Sequence, residues 1–144
     1  ALGRLAEGVA VTRLVSALGK ADDQPEVFSA ICRALGDIGD PKAVKALAKG
    51  IFSGNRRERD WQQRAKERID ALGSIKDAKA VDELIALLGK CGGAGRRGRG
   101  GGGGYGRFHR TIRSVLQRLT GQEFNTQIEW RRWWKASRRT FKFK

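Results

Sequence analysis

Few side chains in this sequence could perform acid–base, nucleophilic or metal chemistry. His109 is the only histidine, and Arg107 and Arg110 lie beside it while no carboxylate is near in sequence. A catalytic base is normally oriented by a further polar group, so we interpret His109 as a solvated residue near the start of a helix. No nucleophile motif accompanies it. We therefore predict a non-enzymatic protein with no catalytic residue, no metal site and no cofactor.

The two cysteines are Cys32 and Cys91, and neither belongs to a C-x-x-C pair. This pattern favours a reduced compartment over a disulfide-stabilised one. Cys32 recurs at helical spacing among apolar residues, which predicts a small buried side chain. Cys91 precedes two glycines, so we expect it to be exposed.

Positive charge is the abundant chemical feature, and it is concentrated near the C-terminus. The chain carries 30 Lys and Arg against 15 Asp and Glu, and residues 91–144 hold fourteen of the basic and two of the acidic side chains. A basic surface of this kind attracts polyanions, which predicts an acidic partner, either a protein segment or nucleic acid. The alternative is that the charge serves solubility alone.

A glycine-rich segment spans residues 92–106 and contains Arg96, Arg97, Arg99 and Tyr105, with Arg107 directly after it. So dense a run of glycine predicts a flexible coil. It resembles an RGG box, in which arginines contact phosphates and aromatic rings stack on bases of RNA or single-stranded DNA. The alternative is an inserted loop with a mild charge.

The predicted final helix, residues 126–139, combines tryptophan with arginine. Trp130, Trp133 and Trp134 follow i, i+3, i+4 spacing, which predicts a buried stripe that Ile128 extends backward. We interpret this stripe as the cap of a terminal repeat; the alternative is base stacking. The remaining basic residues are then free for an anion: Arg131, Arg132, Lys135, Arg138 and Arg139.

Two further basic clusters occur upstream. Lys42, Lys45 and Lys49 share one helical face and would add to a basic groove, or else form a solvated lysine face. Residues 56–70 mix six basic with four acidic side chains at spacings of three or four. Opposite charges at that spacing stabilise a helix, so we interpret this second cluster as structural.

The elements that position these residues are predicted from an internal repeat. Residues 34–44 recur as residues 71–81, and a third copy begins the chain. Counting from Leu2, Leu35 and Leu72, apolar residues occupy the positions three, nine, twelve and sixteen residues on in every copy. The last three of these positions line one face of a helix. Each repeat is therefore predicted to be a helical hairpin whose apolar face is covered by its neighbours.

Helix boundaries and core faces follow from the same pattern. Asp40 and Asp77 are predicted N-caps, and Pro41 suits a first helical position. The first helices of the second, third and divergent fourth repeats are marked by three apolar series: Val27, Ile31, Leu35, Ile38; Trp61, Ala65, Ile69, Leu72; and Phe108, Ile112, Leu116, Leu119.

The repeated motif Ala-Leu-Gly-x-Ile-x-Asp-x-x-Ala-Val resembles the bacterial HEAT-like repeats, including the type named after phycobilisome lyases. The resemblance implies an all-α fold, an α-solenoid of about four HEAT-like hairpins. It implies one domain over residues 1–144, with repeats near 1–20, 25–52, 57–90 and 107–139 and a Gly/Arg-rich insertion at 92–106. The family includes binding scaffolds, tetrapyrrole lyases, a DNA-glycosylase branch and an iron-dependent hydroxylase branch whose paired His-Glu motifs this chain lacks.

Taken together, these features predict a non-enzymatic scaffold that binds an acidic macromolecule through its basic C-terminal third. RNA or DNA binding through the glycine tract is the first alternative, and a lyase-like enzyme is the second. No apolar run is long enough for a transmembrane helix. A cytoplasmic location is favoured, and Ala1-Leu2-Gly3 suggests that the sequence begins within a repeat. The oligomeric state stays open.

Overall fold

The computed structural model describes residues 2–21, 23–52, 60–91 and 106–143, without the side chains of 2–5 and 106. Every regular element in these ranges is an α-helix, which confirms the all-α prediction. The chain forms two compact units, Ala1–Ile75 and Lys76–Lys144. The helices are α1 (Leu2–Leu18), α2 (Pro25–Ile38), α3 (Ala43–Ala48), α4 (Trp61–Ser74), α5 (Ala78–Lys90), α6 (Gly106–Thr120) and α7 (Gln127–Ser137).

In the first unit, α4 packs on both α2 and α3, and α1 packs on the same two helices. Its core is apolar, and the largest fully buried side chains are Phe28, Leu35, Leu47, Ile69 and Leu72. The segment assigned to the first repeat is one continuous helix, α1, without a turn after Leu2-Gly3.

The repeated apolar positions are mostly buried, as the periodicity predicts. Nine residues after each reference leucine, Val11, Val44 and Val81 are at most 2% exposed. The positions twelve and sixteen residues on are also buried, except that Leu14 is half-buried. The same spacing therefore forms the core at each repeated segment.

The predicted face of α2 was partly wrong, because Val27 and Ile38 are exposed. The buried stripe runs through Phe28, Ile31, Cys32, Leu35 and Gly36. The middle of this buried stripe lies close to Leu35. At 3.6 residues per turn, Val27 and Ile38 both lie at one edge of the stripe, and their side chains are therefore exposed.

A glycine and a polar side chain define the turn between α2 and α3. Gly39 ends α2 with φ of 68°, a left-handed conformation that glycine adopts without steric cost. Asp40 Oδ1 then accepts a hydrogen bond from the Lys42 N–H at 2.9 Å. The predicted N-cap at Asp40 and first helical position at Pro41 were wrong, because both residues precede Lys42, the N-cap of α3, which begins at Ala43.

The mixed-charge segment before and within α4 is described from Asp60 onward, and Arg56, Arg57 and Arg59 lie outside the described residues. Arg68 donates from Nη1 to the Lys49 carbonyl at 2.6 Å, and its guanidinium lies 5.3 Å from the centre of the Phe28 ring. Arg68 thus donates a hydrogen bond to a carbonyl at the C-terminal end of α3. This contact supports the interpretation of the mixed-charge segment as structural.

In the second unit, α6 and α7 both pack on α5. Asp77 is the N-cap of α5, as predicted, because its carboxylate accepts from the Lys79 N–H at 2.8 Å. The apolar series predicted on α6 is buried throughout, and Leu84, Leu88 and Trp130 complete the core. Among the helices described, none is both long enough and apolar enough to cross a membrane.

Candidate functional site

Helix α7 has an aromatic face and a basic face. Trp130 and Trp134 are 0% and 5% exposed, and Trp133 is half-buried. This confirms the predicted tryptophan stripe. The rings pack on one another and on neighbouring phenylalanines, with Phe124 and Trp130 edge to face at 5.0 Å. The tryptophans therefore form part of the core of this unit.

Ile128 does not extend that stripe, contrary to the prediction, since it is 68% exposed. It precedes Trp130 by two residues, which places it on nearly the opposite side of the helix. It lies instead on the face of the exposed residues Arg131, Arg132 and Lys135 at i+3, i+4 and i+7. The outer face of α7 is thus basic, with the apolar side chain of Ile128 among its cations.

The start of α7 is fixed by a capping box between Thr126 and Glu129. The Thr126 hydroxyl accepts from the Glu129 N–H at 3.3 Å, and Glu129 Oε2 accepts from the Thr126 N–H at 2.9 Å. Hydrogen bonds from Thr126 and Asn125 lower the pKa of Glu129. The only acidic side chain of α7 is therefore committed to the cap.

Asp82 of α5 anchors the C-terminal half of α7. Its carboxylate accepts from the Trp134 indole N–H at 2.6 Å and from Arg138 Nη2 at 2.8 Å. Burial alone would raise the pKa of Asp82, but the hydrogen bonds from Arg138 and Trp134 outweigh it and lower the pKa below its ordinary value. Arg138, which the sequence suggested was free for an anion, is thus paired within the fold.

Gln127 anchors the other end of α7 by donating from Nε2 to the Ile85 carbonyl at 3.1 Å. Gly89 gives this side chain room, since a Cβ there would collide with the Gln127 amide. Two contacts with α5, at either end of α7, therefore orient its basic face outward.

A groove of about 780 Å³ lies between α5 and α7, and we refer to it as the α5–α7 groove. Arg131, Arg132 and Lys135 line it together with the apolar side chains of Ile85 and Ala86. The structure thus brings together three of the basic residues predicted to bind a partner, and Arg139 is exposed nearby in sequence.

The other predicted binding residues fall elsewhere. Lys42, Lys45 and Lys49 are exposed in the first unit, with only Lys45 inside the short helix α3. Arg107 is exposed in the first turn of α6. Arg96, Arg97, Arg99 and Tyr105 lie outside the described residues, so their predicted role stays a prediction.

His109 is half-buried on α6. Burial, with a contribution from the charge of Arg113, lowers the pKa of its imidazole. Arg113 itself donates to the Phe124 carbonyl at 3.0 Å and to Asn125 Oδ1 at 2.6 Å, and so supports the turn before α7. In the described part of the chain, no group of three His, Cys, Asp or Glu side chains is placed to hold a metal ion.

Sequence reasoning missed the α5 side of the groove. Asp82 and Arg138 are 56 residues apart, and such a pairing leaves no periodic signature. Ala86 is a small residue between the buried Ile85 and Leu87, and nothing in its local pattern marks it as a groove residue. Only the packing of α7 on α5 assigns these residues to one site.

Comparisons with known proteins do not place the chain in a family. No family model matches it, and neither does any curated protein or solved structure. The resemblance to bacterial HEAT-like repeats therefore remains an interpretation of the motif at residues 34–44 and 71–81.

Proposed function

We propose that the protein is a non-enzymatic helical scaffold that binds an acidic macromolecule on the basic face of α7. The observation that carries this proposal is the segregation of charge on that helix. Arg131, Arg132 and Lys135 are exposed along one groove, while Glu129 is held in the cap. Cations grouped in this way produce a local positive potential that favours an anionic partner.

The surroundings of α7 support the same proposal. Residues 91–144 hold fourteen basic and two acidic side chains, so little negative charge in this part of the sequence competes with a ligand. Asp82, which lines the same groove, forms an ion pair with Arg138. Electrostatic repulsion of a polyanion at this face is therefore small.

We also propose that the helices derive from HEAT-like hairpins. The support is that equivalent positions of the repeated segments are buried, including Val44 with Val81 and Leu47 with Leu84. Repeated burial at a fixed spacing is what stacked hairpins require.

A charge-reversal experiment tests the binding proposal. The double variant R131E/R132E alters the basic face of α7, and R110E/R118E makes the same change of net charge at exposed residues of α6. The probes are a fluorescein-labelled 20-residue polyglutamate and a 20-nucleotide oligothymidylate. We expect the α7 variant to weaken binding of at least one probe by about tenfold, since the two lost attractions and the two new repulsions together cost about 1.4 kcal/mol. We expect the α6 variant to weaken it by less than about threefold.

The result is read from fluorescence anisotropy at two salt concentrations. Affinity for the oligonucleotide, if it binds, should fall with salt by about 0.7 in log K per phosphate contact for each unit of log salt. Equal losses in both variants would show that net charge acts alone, without a site on α7. Absence of binding to both probes at low salt would contradict the proposal outright.

A further inference from the structure

The α5–α7 groove has more than positive charge, because part of its lining is apolar. Ala86 is exposed within it, and Ile85 and Trp134 also line it although they are only 4% and 5% exposed. Arg131, Arg132 and Lys135 supply cations along the α7 side. A ligand that fills this groove gains from apolar contact as well as from ion pairing.

The polar groups in the groove wall already have partners within the fold. The Trp134 indole N–H is donated to Asp82, and the Gln127 amide is donated to the Ile85 carbonyl. Arg138 neutralises the Asp82 carboxylate. The groove therefore offers a ligand its three cations and its apolar lining.

A surface of this kind is poorly suited to binding single-stranded nucleic acid. Proteins that bind single strands stack bases on aromatic faces, but Trp130 and Trp134 are buried. Trp133 packs against Trp134 at 5.6 Å and against Phe141 at the same distance. Trp130 and Trp134 are part of the core, the half-buried Trp133 does not line the groove, and a sugar–phosphate backbone gains little from contact with Ile85 and Ala86.

An acidic peptide with apolar side chains matches both components of the groove. Carboxylates can pair with Arg131 and Arg132 in bidentate geometry and with Lys135 as a point charge. A leucine-sized side chain can then lie against Ala86, beside the largely buried Ile85. We propose that the occupant of the α5–α7 groove is an acidic peptide segment that carries apolar side chains. This inference rests on the proposed function and specifies its partner.

The test compares two labelled peptides that differ only in their apolar residues, (Glu-Leu-Asp) repeated four times and (Glu-Ser-Asp) repeated four times. We expect the leucine peptide to bind the unmodified protein about tenfold more tightly, since one buried leucine side chain contributes enough for that ratio. Binding is measured by fluorescence anisotropy at physiological salt, with the 20-nucleotide oligothymidylate as a third probe.

Two alanine-to-aspartate variants test whether the leucine side chains of the peptide contact the groove. Ala86→Asp places a charge in the groove, and Ala136→Asp places the same charge at an exposed position of α7 that does not line it. We expect Ala86→Asp to remove most of the preference for leucine, and Ala136→Asp to retain it. Ala86→Gln is a neutral second variant with a smaller expected loss. Circular dichroism verifies that each variant folds. If Ala86→Asp fails to fold, the Ala86→Gln variant and the comparison of the two peptides test whether the groove prefers apolar side chains.

The outcomes separate this inference from the function on which it rests. Equal binding of the two peptides, with both weakened by R131E/R132E, would overturn the peptide inference and leave the anion site intact. Tighter binding of oligothymidylate than of either peptide, weakened by both R131E/R132E and Ala86→Asp, would assign the groove to nucleic acid instead. Indifference of all three probes to R131E/R132E would reject the proposed function itself.

Discussion

The two thiols illustrate how local sequence can mislead at the scale of a residue. Cys32 is 2% exposed, as expected, but Cys91 is 7% exposed although two glycines follow it. Its N–H donates to the carbonyls of Leu87 and Leu88, so Cys91 completes the last turn of α5. The spacing of Leu84, Leu88 and Cys91 at i, i+4 and i+7 was a signal of burial that the glycines obscured.

Both thiols should therefore react slowly in the folded protein. Burial raises the pKa of Cys32 to about 12 and that of Cys91 to about 11. The thiolate is the reactive form, so iodoacetamide at pH 8 should label neither cysteine in minutes but both in denaturant. Mass spectrometry after a short labelling pulse measures this, and rapid native labelling of Cys91 would contradict its burial.

The same shifts predict a loss of stability at alkaline pH. A thiol whose folded-state pKa is raised contributes stability that is complete below the unfolded value of about 8.5. This contribution falls as the pH rises toward 11 and 12, the values for Cys91 and Cys32. Replacing both cysteines with alanine should flatten the dependence of the melting temperature on pH between 8.5 and 11. If the melting temperature of the variant depended on pH as steeply as that of the unmodified protein, groups other than the thiols would cause the loss of stability at alkaline pH.

At the scale of an element, α7 shows which features the sequence could and could not predict. Its tryptophan stripe follows from spacing alone, because residues three and four apart share a helical face. The exposed position of Ile128 follows from the same geometry, yet its hydrophobicity suggested burial. The orientation of α7 depends on Asp82 and Gln127, whose contacts join distant parts of the sequence.

The capping box makes a measurable contribution to α7. Thr126→Ala removes the hydroxyl that accepts from the Glu129 N–H, and we expect the free energy of unfolding to fall by about 1 kcal/mol. Thr126→Ser keeps the acceptor and should cost less. Urea unfolding followed by tryptophan fluorescence reports on this helix, since three of the four tryptophans lie on it. Equal stability of the alanine and serine variants would argue against the cap.

At the scale of the whole molecule, charge and core are distributed differently. The two compact units each bury an apolar core built on the repeated spacing, and this could be predicted because periodicity is local. The charge is unequal, since residues 76–144 hold seventeen basic and five acidic side chains while residues 1–75 hold thirteen and ten. Composition thus shows which part of the chain holds the excess positive charge, but the groove required the packing of α7 on α5.

Amide chemical-shift mapping tests the central claim most directly, because it shows where an anionic ligand contacts the protein. Isotopically labelled protein is titrated with the leucine-containing acidic peptide, and assigned amides are followed across both units. We expect the largest shifts at residues 131–135 of α7 and at Ile85 and Ala86 of α5. Largest shifts at Lys42, Lys45 and Lys49, or small shifts spread evenly over the basic surface, would contradict a binding site on α7.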